Sequence, residues 1–299
     1  MQTYDLAISY NWIFDHEFVE LIEQIFQEDG LKTYVITKQN IREVIDLLRN
    51  KKVFFKTYFD RASDEDPEFE HITTILLRRK SYLINPFSKV RCAIDKSVMH
   101  KKLIKKRFLL PKTLILPAYS SKLRLTVREE QLNIIGRPFV IKPVLFSGGG
   151  QGVIKNAMTL AQIQEERTKN ISEKYLVQEK ILPSNINGKR AWFRIFWAFG
   201  HAIPTWWNDN THIYFRVTKN DIEQFNLRPL IKITTRLAQI TNLDYFSTEI
   251  AVTKDHKFVL IDYINDQCDM RLKSNHPDGI PDRVVIEFIE RMGKKILSL

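Results

Sequence analysis

Cysteine is nearly absent: Cys92 and Cys268 stand far apart in 299 residues, and no Cys-x-x-Cys pair occurs. That argues against a disulfide framework or a zinc ribbon and points to a reducing compartment, so a cytoplasmic setting is expected. No apolar run approaches the roughly 18 residues that cross a membrane, and no membrane partner is expected. Asp5 precedes any basic residue, and the first residues lack a signal-peptide pattern. Internal repeats, low-complexity segments and a convincing Ser or Cys catalytic triad are all missing. Glycine is also scarce, at ten residues, yet four of the ten fall at 148, 149, 150 and 152. That loop does not end in Gly-Lys-Ser/Thr, so it is not a Walker loop. No helical pattern follows its last glycine directly, so it is not a dinucleotide fingerprint either.

What is present is ample core material, with 44% hydrophobic and 11% aromatic residues, and an excess of positive charge, +11 at pH 7. The length allows one large domain or two to three small ones. The charge suits an anionic partner such as a nucleotide, a phosphorylated substrate, an acidic peptide or nucleic acid; a solvated basic surface is the bland alternative. No RNA-binding motif appears, and no nucleic-acid partner is expected.

Strand-like and helix-like stretches alternate over residues 1–90. Strands are expected at 4–10, 31–36, 53–59 and 82–84. Between them lie helices bearing Phe14, Phe18, Leu21, Ile22, Ile25 and Phe26, and Ile41, Val44, Ile45 and Leu48, on one face. Alternation of this kind predicts a small parallel α/β domain. A helix follows from Asp95 to about Arg107, with Ile94, Val98, Leu103 and Ile104 as candidate buried positions. The glycine loop follows a strand at 139–141, and further strands are expected at 175–181, 191–199, 247–252 and 258–265. The domain boundaries read as 1–90, 91–182 and 183–299.

The chemistry gathers around Phe139-Val140-Ile141-Lys142-Pro143. A β-branched run delivers Lys142 to the mouth of the glycine loop, where Ser147, Gly148, Gly149, Gly150 and Gly152 can bring backbone N–H groups close to phosphate oxygens. A hairpin turn with a lysine at its mouth is the structural alternative. Lys96, on a separate element, can reach the same phosphates. The stretch Val177-Gln178-Glu179-Lys180-Ile181 offers a strand edge to an adenine, with Glu179 accepting from its amino group. Glu249 on one strand, with Asp262 and Asn265 on the next, supplies carboxylate and amide oxygens that suit Mg²⁺. Arg194 is a fork donor for a phosphate or carboxylate.

In this order the set resembles the ATP-grasp superfamily, in particular its glutathione synthetase-like and RimK-like ligases. Further motifs carry the resemblance: Asn85 ahead of Asp95-Lys96, and Leu110-Pro111-Lys112-Thr113. The resemblance covers nearly the whole chain. It implies an α/β (α+β) fold, with an N-terminal parallel α/β domain and two α+β subdomains that clasp ATP. It implies Lys142 and Arg194 as catalytic groups. Nucleotide would be held by Lys96, Lys142, the glycine loop, Gln178, Glu179 and Ile181, and metal by Glu249, Asp262 and Asn265. The implied cofactors are ATP and Mg²⁺, with Mn²⁺ as the other candidate metal. The implied partners are a small-molecule or peptide carboxylate and an amine acceptor; a homo-oligomer is left open. The reaction would be carboxylate–amine ligation through an acylphosphate. A small-molecule kinase of the same fold and a nucleotide binder without turnover are the alternatives.

Two departures from the family pattern stand out. The usual Glu-x-Asn pair is here Asp262-Tyr263-Ile264-Asn265, one residue longer. Trp192 stands two before the strand arginine, where many relatives carry an acid. In a regular strand Asp262 and Asn265 face opposite sides, and a bulge would be needed to bring them together.

Overall fold

The structure is a computed structural model that describes residues 1–145 and 150–299. Its first elements are β1 (Gln2–Tyr10), α1 (His16–Glu28), β2 (Thr33–Ile36), α2 (Ile41–Arg49), β3 (Val53–Arg61), α3 (Glu70–Arg78) and β4 (Tyr82–Ile84). Then come α4 (Phe87–Ile94), α5 (Lys96–Lys105), β5 (Thr113–Leu116), α6 (Glu129–Ile135), β6 (Phe139–Pro143), β7 (Ile154–Ala157), α7 (Leu160–Lys169) and β8 (Tyr175–Glu179). Two short strands, β9 (Asn185–Ile186) and β10 (Lys189–Arg190), precede β11 (Trp192–Ala198), β12 (His201–Trp207) and β13 (Tyr214–Arg216). The chain closes with α8 (Lys219–Gln224), α9 (Arg228–Thr241), β14 (Tyr245–Val252), β15 (Phe258–Asn265) and α10 (Asp282–Leu297). Among the described residues no helix is long and apolar enough to cross a membrane.

The chain packs as two compact units. One comprises 1–90, 195–247 and 266–299; the other comprises 91–194 and 248–265. These boundaries differ from the linear division at 90 and 182, because segments distant in sequence fold into one unit.

In the first unit β1–β4 form a parallel sheet of order β2-β1-β3-β4. The alternating helices make this topology the natural one, since parallel neighbours need a crossover. Ile41, Val44, Ile45 and Leu48 of α2 face the core with Phe55, Tyr58, Ile72 and Leu76. Their i, i+3, i+4, i+7 spacing is what makes the helix amphipathic. Helix α10 packs on α1, where Phe18 meets Phe288 edge to face at 6.0 Å. Gly293 fits there because a Cβ would lie 3.3 Å from the Phe26 ring. Beneath this contact Arg61 is buried. It donates to Asp15 through Nε (2.9 Å) and Nη2 (2.6 Å), and to the Cys268 carbonyl (2.9 Å). Asn85 adopts a left-handed conformation (φ 51°), and its amide bridges the Asp244 N–H (2.8 Å) and the Tyr245 carbonyl (2.6 Å).

In the second unit β5–β8 form an antiparallel sheet of order β5-β8-β6-β7. Its core holds Leu116, Leu132, Phe139, Ile141, Ile163, Tyr175 and Val177. A five-stranded sheet has the order β13-β12-β11-β14-β15, and β11 and β14 each run from one unit into the other. Helix α5 corrects the expectation from hydrophobic spacing. Val98 and Ile104 are 46% and 55% exposed, while Lys96, Met99, His100 and Leu103 are buried. Apolar periodicity loses here because β15, on which α5 packs, presents polar partners for Lys96 and His100.

Candidate nucleotide site

All of the charged side chains expected to act on phosphate or metal lie in the second unit. Lys96 is the first residue of α5. Asp95 caps that helix by accepting from the N–H groups of Ser97 and Val98, both at 2.9 Å. A lysine at a helix N-terminus sits at the positive end of the helix dipole, and burial adds to the penalty. Lys96 is nevertheless only 7% exposed. Asp262 of β15 compensates, with its Oδ1 3.6 Å from Lys96 Nζ.

Lys142 is the last residue but one of β6 and is 6% exposed. Its ammonium donates to the Ile261 carbonyl at 3.0 Å and lies 5.8 Å from the centre of the Tyr263 ring. Burial pulls its pKa down; Asp262 and Glu249 oppose the shift and Lys96 adds to it, leaving Lys142 at about 8. Burial pushes the Asp262 carboxyl up, but Lys96, Lys142 and Arg194 outweigh burial and hold it below the ordinary value. Arg194 of β11 donates to Glu249 of β14, and Trp192 Nε1 donates to the other Glu249 oxygen at 3.2 Å. Trp192 therefore has a partner in the position where an acid was expected.

Three cations and two carboxylates thus converge from α5, β6, β11, β14 and β15. The excess positive charge suits a polyanion. Asp262 Oδ1 is buried and accepts no hydrogen bond from the described residues. Its ion pair with Lys96 is looser than a hydrogen bond, and a buried acceptor left that way can take a further cation. Glu249 and Asn265, the other two expected ligands, carry a carboxylate and an amide oxygen, donor types that suit Mg²⁺. Among the described residues no three His, Cys, Asp or Glu side chains cluster at metal-binding distance, so the amide would have to serve as the third ligand. Thr248 Oγ1 donates to the Asp262 carbonyl at 2.7 Å and holds β15 at this point.

The remaining expected residues are placed as follows. Gly150 and Gly152 have φ of +82° and +66°, and a Cβ at 152 would lie 3.0 Å from the Pro143 ring. Glycine is thus required at 152 on both counts. Ser147, Gly148 and Gly149 lie outside the described residues. Gln178 is buried, and its side chain turns inward to Thr113 (3.0 Å) and the Tyr263 hydroxyl (3.4 Å). Glu179 is partly exposed, exchanges backbone contacts with Lys112, and accepts from the Lys112 N–H at 3.1 Å. A carboxylate so engaged keeps further acceptor sites. Ile181 is partly exposed, just past the end of β8.

Sequence reasoning missed His100. Its Nδ1 lies 2.6 Å from the Tyr263 hydroxyl, and both residues are buried. Burial, with Lys142 nearby, lowers the imidazole to about 4, so the ring is neutral at physiological pH. The available signal was spacing: His100 stands four residues after Lys96, on the same helical face.

No family model and no curated protein matches the sequence. Solved structures match in fold. A D-alanine–D-alanine ligase from Bacillus anthracis, complexed with ATP, aligns with TM-score 0.65 at 14% identity over 99% of both chains. A RimK domain ATP-grasp protein from Sphaerobacter thermophilus DSM 20745 gives 0.63 at 16%, over 96% of this chain and 98% of its own. The ATP-grasp ligase PsnB, complexed with a minimal precursor, Mg and ADP, gives 0.62 at 12%, over 96% and 98%. Identities at this level establish the fold: the chain has the mixed α/β ATP-grasp architecture.

Proposed function

We propose that this ATP-grasp-fold chain is an ATP- and Mg-dependent carboxylate–amine ligase that forms an amide or peptide-type bond through an acylphosphate. The observation that carries the reading is the convergence of Lys96, Lys142 and Arg194 on Asp262 and Glu249 within one compact unit. Phosphoryl transfer asks a protein chiefly for positioning and charge neutralisation, and this cluster supplies both. Lys96 and Lys142 bind phosphate oxygens, with Gly150 and Gly152 shaping the loop beside them. Arg194, anchored by Glu249, faces charge that develops on the transferred group. Glu249, Asp262 and Asn265 are the residues that would hold Mg²⁺. When bound, the ion would supply charge neutralisation.

A substrate carboxylate oxygen attacks the γ-phosphorus, the bond to the β-phosphate oxygen breaks, and ADP departs. The amine lone pair then attacks the acyl carbon, phosphate leaves with its bonding electrons, and the amine gives up a proton. The substrate pair is a small-molecule or peptide carboxylate and an amine. The fold likeness to ligases favours this pairing over a kinase.

The test is ADP release with ATP, Mg²⁺ and panels of amino acids and peptides, with hydroxylamine added to trap an acylphosphate as hydroxamate. Release that depends on a carboxylate and an amine, with hydroxamate formed in place of amide, is the expected result. A stable phosphate ester would indicate a kinase, and ATP binding without release would indicate a binder.

A further inference from the structure

We propose that His100 is a positioning residue for Lys142, acting through a buried one-way chain of hydrogen bonds that runs from Gln178 through the Tyr263 hydroxyl to His100 Nδ1. The proposal rests on the nucleotide-binding reading of the site.

The direction of the chain follows from counting donors. Thr113 Oγ1 donates to the Pro111 carbonyl at 2.8 Å, so its proton is committed. It can therefore only accept from Gln178, which fixes the Gln178 amide with Nε2 toward Thr113 at 3.0 Å. The second Nε2 proton points to the Tyr263 oxygen at 3.4 Å. Flipping the amide would set Oε1 against an oxygen that has no proton left for it. Tyr263 then receives from Gln178 and directs its own proton to His100 Nδ1 at 2.6 Å. His100 must be neutral with its proton on Nε2, and its burial beside Lys142 keeps it so.

The chain joins β5, β8, β15 and α5, the last two of which carry Asp262 and Lys96. Its middle member, Tyr263, is the ring whose face lies under the Lys142 ammonium. The same strand offers the Ile261 carbonyl to that ammonium. Lys142 is thus held from below by the ring and from the side by the backbone of one strand. What locks that ring in rotation is the hydroxyl between Gln178 and His100. A side chain anchored in this way meets a phosphate with its rotamer already chosen.

Three variants and one measurement on the wild type test this. His100→Leu removes the acceptor, and Tyr263→Phe keeps the ring and removes the hydroxyl. Each should raise the Kd for ATP about fivefold, the factor one ordinary hydrogen bond is worth, with kcat changed far less. The double variant should be no worse than either single one, since a chain is broken once. His100→Asn, whose Oδ1 can replace Nδ1 as acceptor, should bind ATP close to wild type.

In the wild type, ¹⁵N shifts of His100 should show the Nε2–H tautomer and no protonation down to pH 5. The proposal is overturned if the Nδ1–H tautomer is found. It is also overturned if His100→Leu and Tyr263→Phe only melt earlier with ATP affinity unchanged, or if His100→Asn is as damaging as His100→Leu. A wild type that does not bind ATP would instead defeat the nucleotide reading itself, and the tautomer measurement would still report on the chain.

Discussion

Lys142 should take up a proton when nucleotide binds. In the free protein burial leaves its pKa at about 8, against 10.5 for an ordinary lysine. Phosphate oxygens favour the ammonium over the amine, so binding must draw the missing fraction of a proton from solvent. From a pKa of about 8 that fraction is about 0.1 at pH 7, about 0.5 at pH 8 and about 0.9 at pH 9. The linked affinity is flat below pH 7.5 and falls by up to about tenfold per pH unit above pH 8. Titration calorimetry in buffers of different ionisation enthalpy reads the uptake directly, as the slope of observed heat against buffer enthalpy. Lys142→Arg, which stays charged throughout this range, should bring the Lys142 contribution to zero.

Stability of the free protein carries the same signature with its own sign. Between pH 8 and 10.5 the unfolded chain holds the proton and the folded chain has released it, so stability rises with pH across that window. The disadvantage of the buried ammonium, roughly 3 kcal/mol, is fully present below pH 8. Zero uptake at pH 8 to 9, or the same uptake in Lys142→Arg, would refute the placement of this lysine as a desolvated phosphate ligand.

Asp262→Asn should cut kcat by about 100-fold or more while ATP affinity stays within a few-fold, since the oxygen donor set loses its unsatisfied carboxylate but the lysines remain; steady-state kinetics and calorimetry together check it. The same change removes the anion facing Lys142, so the proton-uptake curve should move to lower pH. Asp15→Asn strips the charge partner from buried Arg61 and should destabilise the first unit by about 3–5 kcal/mol in denaturant unfolding. Gly279→Ala would set a Cβ 2.6 Å from the Leu272 carbonyl oxygen and 2.8 Å from that of Arg271. Both obstacles are backbone, so a loss of about 1–3 kcal/mol is expected, visible as a lower Tm.

The sequence by itself determined the elements whose signal is local. The period of 3.6 over Ile41, Val44, Ile45 and Leu48 and the strand–helix alternation of residues 1–90 specify a parallel sheet, because each helix can bury its stripe only against strands it connects. The delivery of Lys142 by a β-branched run into a glycine loop was likewise legible from neighbours in the chain, whereas the close approach of Pro143 that calls for glycine at 152 shows only in the fold.

Tertiary structure decided which face of α5 is buried. Val98 and Ile104 look like the core face, yet Lys96 and His100 turn inward, because the polar partners that repay their desolvation sit on a strand more than 160 residues later. It decided as well that β8, which reads as a strand edge, is paired on both sides by β5 and β6, that the Gln178 side chain donates inside the protein, and that segments 195–247 and 266–299 fold with the first ninety residues. The pKa of Lys142 belongs to the same class. No spacing rule encodes it, since it is set by how much water the fold removes and by which charges from three other elements the fold brings near.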